Sequence, residues 1–231
     1  NQPFVSKTAN LIAGLQSRNE AEQKPALELL KNGYRFPAAD LPQMLNALLV
    51  DYGQTGQGAD IPRLLGGSIV PHAGETVLAF IRQQYPLQKN KREELRLVML
   101  EMLAASGQAP AYQFIGECLA NDPPAGNSFQ QVFEHFARFP GQTAALSSPL
   151  LSRLKDENLG TFIIATLALL IDSNQVTYNS VRQCEETVLS LAKKILHTYQ
   201  ENNNEKTQFP HMQAILDMLV RNPEKQSRNI L

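Results

Sequence analysis

Residues 91–105 read KREELRLVMLEMLAA, and this stretch says most about the fold. Apolar side chains recur in it at the spacing of one α-helix face: Leu95, Val98, Met99, Met102 and Leu103. Leu97 and Leu100 add a second apolar side. A helix that is apolar on two sides usually packs between neighbouring helices rather than lying on a surface. We therefore predict a buried helix over about 91–105, capped by Asn90.

The helical spacing continues in both directions along the chain. Further stripes begin at Leu41, Val77, Phe114, Phe129, Val181 and Met212. Asp40 is a predicted N-cap, with Pro42 in the first turn. The run 162–171 is apolar all round, and its leucine and alanine content favours a buried helix over a buried strand. No alternating run flanked by Asn-Gly or Asp-Gly turns indicates a strand hairpin.

Predicted helix pairs begin near residues 21, 73, 110, 148 and 180. A spacing of roughly 30–50 residues is typical of α-solenoids, in which each pair buries its apolar stripe against the next. The predicted fold is all-α, with antiparallel helix pairs stacked as a HEAT- or armadillo-like solenoid or two-layer superhelix. Because the pairs are dissimilar in sequence, a compact irregular helical domain is the alternative. We predict one repeat-like domain over 1–231, a fragment of a larger protein.

A glycine-rich segment interrupts the helical pattern at about 53–68. It contains Gly53, Gly56, Gly58, Gly66 and Gly67. The segment lacks the Gly-Lys-Ser/Thr ending of a phosphate-binding P-loop and follows no predicted strand. A flexible connector is therefore predicted here, with Asp60-Ile61-Pro62 as a candidate start of one short turn.

Charge is nearly balanced, with 21 Lys+Arg against 22 Asp+Glu, which argues against a nucleic-acid-binding surface. The densest basic cluster comprises Lys89, Lys91, Arg92 and Arg96. Because Glu93 and Glu94 interrupt it, we predict a solvated helix start rather than a binding patch. The longest apolar run, 162–171, is about half the roughly 20 residues that a transmembrane helix needs.

The sequence contains no recognisable catalytic, cofactor or metal motif, so we predict a non-enzymatic protein without a cofactor. None of His72, His135, His197 and His211 belongs to a ligand pair at helical spacing. The two cysteines, Cys118 and Cys184, both fall in apolar helical phase. They are predicted to be buried thiols or one disulfide, which leaves the redox compartment open.

The order of features from about residue 91 onwards resembles the helical domain of one known family. Residues 92–111, REELRLVMLEMLAASGQAPA, are similar to the leucine-rich helix, Ala-Ala-x-Gly turn and following helix of the large lipid transfer proteins. That family includes vitellogenin, apolipoprotein B and the large subunit of microsomal triglyceride transfer protein. Later segments are also similar to it: FQQVF at 129–133, RFP at 138–140, PLL at 149–151, AILDML at 214–219 and NIL at 229–231.

The resemblance implies a helical arch that braces a lipid cavity formed by other domains and that contacts a partner subunit. It also implies a secreted or endoplasmic-reticulum setting, with lipid bound only in the context of the larger protein. Family members usually carry a second cysteine shortly before the one resembling Cys184, whereas residues 172–175 here read DSNQ. The alternative function is a cytoplasmic HEAT-like adaptor that binds a partner protein or peptide on its concave face.

Overall fold

The structure is a computed structural model that describes residues 6–53, 60–125 and 130–153, together with Ile163, Thr166 and Leu167. Every regular element in these residues is helical, which confirms the all-α prediction. The stacking of helix pairs into a solenoid stays a prediction. The helices are α1 (Lys7–Gln16), α2 (Glu20–Lys31), α3 (Leu41–Leu48), α4 (Ile61–Ile69), α5 (Glu75–Leu87), α6 (Glu93–Ser106), α7 (Ala109–Asn121), α8 (Gln130–Arg138), α9 (Pro140–Thr143) and α10 (Ser147–Ser152).

The helix predicted over 91–105 is confirmed as α6, and nine of its 14 residues are buried. Its start differs from the prediction. Asn90 has a left-handed backbone, with φ 59°, and lies in the turn before the helix rather than at its N-cap. The side chain of Glu93, the first residue of α6, instead accepts a hydrogen bond from the Asn90 backbone N–H at 2.6 Å. This bond connects the turn at Asn90 to the start of the helix.

The chain divides into two compact units, the first ending at Ser106. In the first unit, α1 and α2 form an antiparallel pair in which Gly14 lies against Ala26 and the Gln23 side chain donates to the Leu15 carbonyl. Helix α4 packs against α2, α3 and α6, and α5 packs against α6. The most deeply buried apolar side chains of this unit include Met44, Leu48, Ile61, Leu65, Ile69, Ile81 and Met99.

The predicted connector over 53–68 is wrong for its second part, because residues 61–69 form α4. Ile61 and Leu65 are fully buried and supply the apolar contacts that fold this glycine-containing stretch as a helix. Gly66 is buried against Met102 of α6: a Cβ at Gly66 would lie 2.9 Å from the Met102 Cγ. Residues 54–59 of the predicted connector lie outside the described residues.

Two adjacent glycines in α4 are expected to respond to alanine in opposite directions. Gly66→Ala should lower the free energy of unfolding by about 1–3 kcal/mol, because the new methyl group overpacks the contact with Met102. Gly67→Ala should raise it by about 0.5–1 kcal/mol, because no atom lies within 4 Å and alanine favours the helix. Urea unfolding of both variants checks this, and a stabilising Gly66→Ala would contradict the close approach of α4 and α6.

The second unit begins at Gly107 and packs α7 against α9, α10 and the 3₁₀ turn Ala144–Leu146. Gly116 of α7 allows a close approach of Leu146 and Pro149. Aromatic rings fill the space beside α7 and α8: Tyr112, Phe133, Phe136 and Phe139. The Thr143 hydroxyl lies within hydrogen-bond distance of the carbonyls of both Phe136 and Phe139, 2.9 Å from each, and so ties α9 to the end of α8.

In the apolar run 162–171, the three described residues are helical and buried, which favours the predicted helix over a strand at those positions. The helices predicted from Val181 and Met212 lie outside the described residues. Within the described ranges, no helix has the length and apolarity needed to cross a membrane.

Candidate functional site

Backbone carbonyls at and just beyond the end of α3 accept hydrogen bonds from side chains outside the helix. Arg92 donates to the Leu49 carbonyl through Nη1 at 2.6 Å and to the Val50 carbonyl through Nη2 at 3.1 Å. The Tyr52 hydroxyl donates to the Ala47 carbonyl at 2.9 Å. Carbonyls at the end of a helix lack the usual helical partner, so the two Arg92 bonds satisfy Leu49 and Val50. The Ala47 carbonyl also accepts from the Val50 N–H at 3.1 Å, so the Tyr52 hydroxyl adds a second bond to it.

Arg96 lies one turn further along α6 and is only 1% exposed. Its guanidinium carbon sits 4.2 Å from the centroid of the Tyr85 ring, and its Nη1 lies 2.9 Å from Glu93 Oε2. The aromatic face and the carboxylate together compensate the charge that burial removes from water. The prediction of a solvated helix start is therefore wrong for Arg96, which is part of the core, and for Arg92, which is half-buried and holds α3.

A groove of about 760 Å³ lies beside these arginines. The described residues that line it come from the segment after α3, the start of α4, and the turn before α6 with the first turns of that helix: Asp51, Tyr52, Gly53, Pro62, Asn90, Lys91, Arg92, Glu93, Glu94, Leu95 and Val98. Its exposed rim carries both signs of charge, with Asp51 and Glu94 acidic and Lys91 basic. Such a surface can hydrogen-bond to a polar partner, but its described lining contains no nucleophile beside a general base.

Comparison of the alanine and lysine variants of Arg92 is expected to separate the contribution of its two hydrogen bonds from the contribution of its charge. Arg92→Ala should lower the free energy of unfolding by about 1–3 kcal/mol, since two carbonyls lose a charged donor. Arg92→Lys keeps the charge but cannot reproduce the two-pronged geometry, so it should recover only part of that loss. The matched control is exposed Lys91→Ala, expected within about 0.5 kcal/mol of wild type. Equal effects of Arg92→Ala and Lys91→Ala in urea unfolding would refute the contact.

Two buried tyrosines have perturbed acid–base properties. Burial raises the pKa of Tyr52 to about 12, with the positive charge of Arg92 acting in the opposite direction. Burial likewise raises the pKa of Tyr112 to about 12, offset in part by a hydrogen bond with Thr143. Both phenols are therefore held in the neutral form well above the ordinary pKa of 10.

These shifts predict a loss of stability at alkaline pH. The pKa of each phenol is higher in the folded protein than in the unfolded chain. The contribution of the two neutral phenols to the free energy of unfolding is therefore fully present below about pH 10 and is lost as the pH rises through about 12. In an absorbance titration, phenolate formation at Tyr52 and Tyr112 should coincide with loss of helical circular dichroism. Tyr52→Phe should remove its share of the late phenolate signal. A folded protein whose six tyrosines all ionise together near pH 10 would contradict the burial of these phenols.

The structure describes one of the two cysteines. Cys118 is buried on α7, in agreement with its apolar phase, whereas Cys184 lies outside the described residues. Whether the two form a disulfide therefore stays a prediction.

Two of the histidines are also placed. His72 stacks on Phe36 with ring centroids 4.2 Å apart, and His135 lies on α8. Among the described residues, no group of histidine, cysteine, aspartate and glutamate side chains could hold a metal ion. His197 and His211 lie outside the described ranges.

The geometry thus offers a groove of mixed polar and apolar lining on a helical core. No family model, curated protein or solved structure matches this chain. The likeness to large lipid transfer proteins accordingly rests on the residues quoted from the sequence.

Sequence reasoning missed Arg92 and Arg96 as structural residues. A signal for Arg96 was present, because it lies inside the densest apolar stretch of the chain, next to Leu95 and Leu97. No comparable signal marked Arg92, whose partners Leu49 and Val50 are more than forty residues away in the chain.

Proposed function

We propose that this chain is a non-catalytic helical scaffold of a lipid-transport protein, which supports a lipid cavity built by other parts of that protein. The observation that carries the proposal is the burial of α6. It packs against α4 and α5, and nine of its 14 residues are buried. A helix held on several sides cannot shift without opening the core, so the first unit suits a supporting role.

The distribution of apolar surface supports a role in bracing rather than in carrying lipid. Among the described residues, the exposed large apolar side chains are Leu29 and Leu87, which are 50% and 55% exposed. Isolated exposed leucines are ordinary on soluble proteins, whereas a lipid-binding surface needs a contiguous apolar patch. In this proposal lipid is bound only by the larger protein, in a secreted or endoplasmic-reticulum setting.

The groove beside Arg92 favours a second candidate, a helical adaptor that binds a partner protein or peptide. Its rim offers Asp51, Lys91 and Glu94 to a partner, and charges of both signs at a rim give specificity more than affinity. Contact with a partner subunit is also part of the first proposal, so the groove alone does not distinguish the two.

A vesicle assay tests the lipid-transport proposal. The chain alone should fold, as seen by circular dichroism, yet transfer no fluorescent lipid between vesicles. The protein expressed from the full reading frame should transfer lipid, and Arg96→Ala in that longer protein should reduce transfer by loosening α6. Transfer by the chain alone refutes the scaffold role. A full-length protein without lipid-transfer activity refutes the lipid-transport setting.

The state of the cysteines discriminates between the two candidates. Alkylation of denatured, unreduced protein purified from its own source reports whether Cys118 and Cys184 are bridged. A bridge supports the secretory setting of the first candidate, and two alkylated thiols support the cytoplasmic adaptor. Cys118→Ala serves as the control, because a bridged partner would then become alkylated.

A further inference from the structure

Asn32 and Gly33 form the single Asn-Gly step in the sequence, at the end of α2. Asn32 is the C-cap residue and is exposed, and Gly33 follows in the left-handed region with φ 75°. A Cβ built at Gly33 would meet no atom within 4 Å, so the step is open to solvent. We propose that Asn32 is the site at which this chain deamidates spontaneously, giving aspartate and isoaspartate.

The reaction needs only the chain and water. The Gly33 backbone nitrogen loses its proton to solvent base and attacks Asn32 Cγ. A new C–N bond closes a five-membered imide while the Cγ–Nδ2 bond breaks and ammonia leaves. Water then opens the imide at either carbonyl, so the product is aspartate or a chain that continues through Cγ. Glycine favours the attack because it has no Cβ to hinder the nitrogen or restrict its backbone.

The local fold controls the rate. The Gly33 N–H donates to the Leu30 carbonyl at 2.9 Å, and this bond must open before the nitrogen can attack. This hydrogen bond belongs to the last turn of α2, and fraying of a terminal helix turn costs little free energy. Deamidation at Asn32 therefore reports transient opening of the end of α2.

Three other asparagines of the described ranges are worse placed. The Asn19 side chain accepts from the Ala21 N–H at 3.0 Å, and the Asn121 side chain donates to the Glu117 carbonyl at 3.1 Å. Asn90 is exposed but precedes Lys91, whose side chain hinders attack. Asn90 is therefore an internal control for exposure without a following glycine.

Deamidation changes the structure at a defined place. Aspartate at position 32 puts a carboxylate at the negative end of the α2 dipole, which destabilises the helix end. Isoaspartate adds one atom to the backbone before Gly33. The added length displaces the hydrogen bond from the Gly33 N–H to the Leu30 carbonyl. Since α2 packs along α1, the change is expected to loosen this helix pair.

Incubation of the folded chain at mildly alkaline and mildly acidic pH tests the proposal. A digest with a glutamate-specific protease is then analysed by mass spectrometry, with fragmentation that separates aspartate from isoaspartate. We expect Asn32 to convert before every other asparagine, faster at alkaline pH, with a one-charge acidic shift of the intact protein. Asn32→Gln should abolish that early shift, because its longer side chain cannot close the five-membered imide.

Two results would overturn the proposal: conversion of Asn90 or another asparagine ahead of Asn32, or an early acidic shift that persists in Asn32→Gln.

The structural consequence of deamidation is tested by thermal unfolding. Asn32→Asp, which mimics one product, should melt at a lower temperature than wild type, whereas Asn32→Gln should retain most of the wild-type melting temperature. An unchanged melting temperature in Asn32→Asp would overturn the proposed loosening of the α1–α2 pair.

Discussion

Replacing Arg96 with alanine is expected to lower the free energy of unfolding by about 2–4 kcal/mol. The variant removes a guanidinium that is 1% exposed, together with its contact with the Tyr85 ring and its ion pair with the Glu93 carboxylate. Breaking a buried pair costs more than the pair contributes, because the remaining charge stays in a poorly solvated place. The Glu93 side chain is 19% exposed and regains some water, which keeps the loss below that of a fully buried pair.

Arg63 provides the matched control for this prediction, since it forms the same kind of pair with Glu101 of α6. Its Nε lies 3.1 Å from Glu101 Oε2, but its side chain is 38% exposed. Arg63→Ala should therefore cost less than about 1 kcal/mol. Urea unfolding followed by circular dichroism measures both variants. If Arg63→Ala destabilises the protein as much as Arg96→Ala, burial of Arg96 does not determine the effect.

Alanine at Gly107 is expected to lower the free energy of unfolding by about 2–4 kcal/mol, from two separate causes. Gly107 has φ 65°, a conformation that costs a residue with a Cβ about 1–2 kcal/mol. Its Cβ would also lie 2.5 Å from Phe139 Cε1, so the ring would have to move. The aromatic packing between Phe139 and Tyr112 would be disturbed in turn.

Gly33 is a position at which the backbone cost can be measured without a steric clash. It has a similar φ of 75° but no atom within 4 Å of its Cβ position, so Gly33→Ala should show the backbone cost alone. The double variant Gly107→Ala, Phe139→Ala, compared with Phe139→Ala, should likewise reduce the Gly107 penalty to that backbone cost. Equal losses in Gly107→Ala and Gly33→Ala would show that the Phe139 ring yields freely.

The position of most described helices could be predicted from local patterns. The stripe Leu41, Met44, Leu45 and Leu48 marks α3, and the same spacing marks α6 and α7. These predictions succeed because α-helical periodicity relates residues three and four apart, which lie together in sequence as well as in space. Helix ends were less well predicted, as at Asn90, because caps depend on turn geometry that apolar spacing does not report.

Glycine content misled the prediction at α4. Gly66 and Gly67 weaken a helix in isolation, and the local pattern therefore indicated a connector. Burial of Ile61 and Leu65 stabilises the helix in the folded unit, and the lack of a Cβ at Gly66 allows Met102 to approach. Intrinsic propensity is a weak preference that tertiary packing outweighs.

The sequence by itself determined that this protein is helical and where most of its described helices lie, because the apolar side chains recur at the α-helical period. Only the tertiary structure decided the roles of the charged and glycine residues. Arg92 reaches carbonyls more than forty residues away, and Arg96 is buried because the Tyr85 ring and Glu93 lie beside it. Such partners come together through folding, and no local periodicity specifies the surroundings in which burying a charge becomes tolerable.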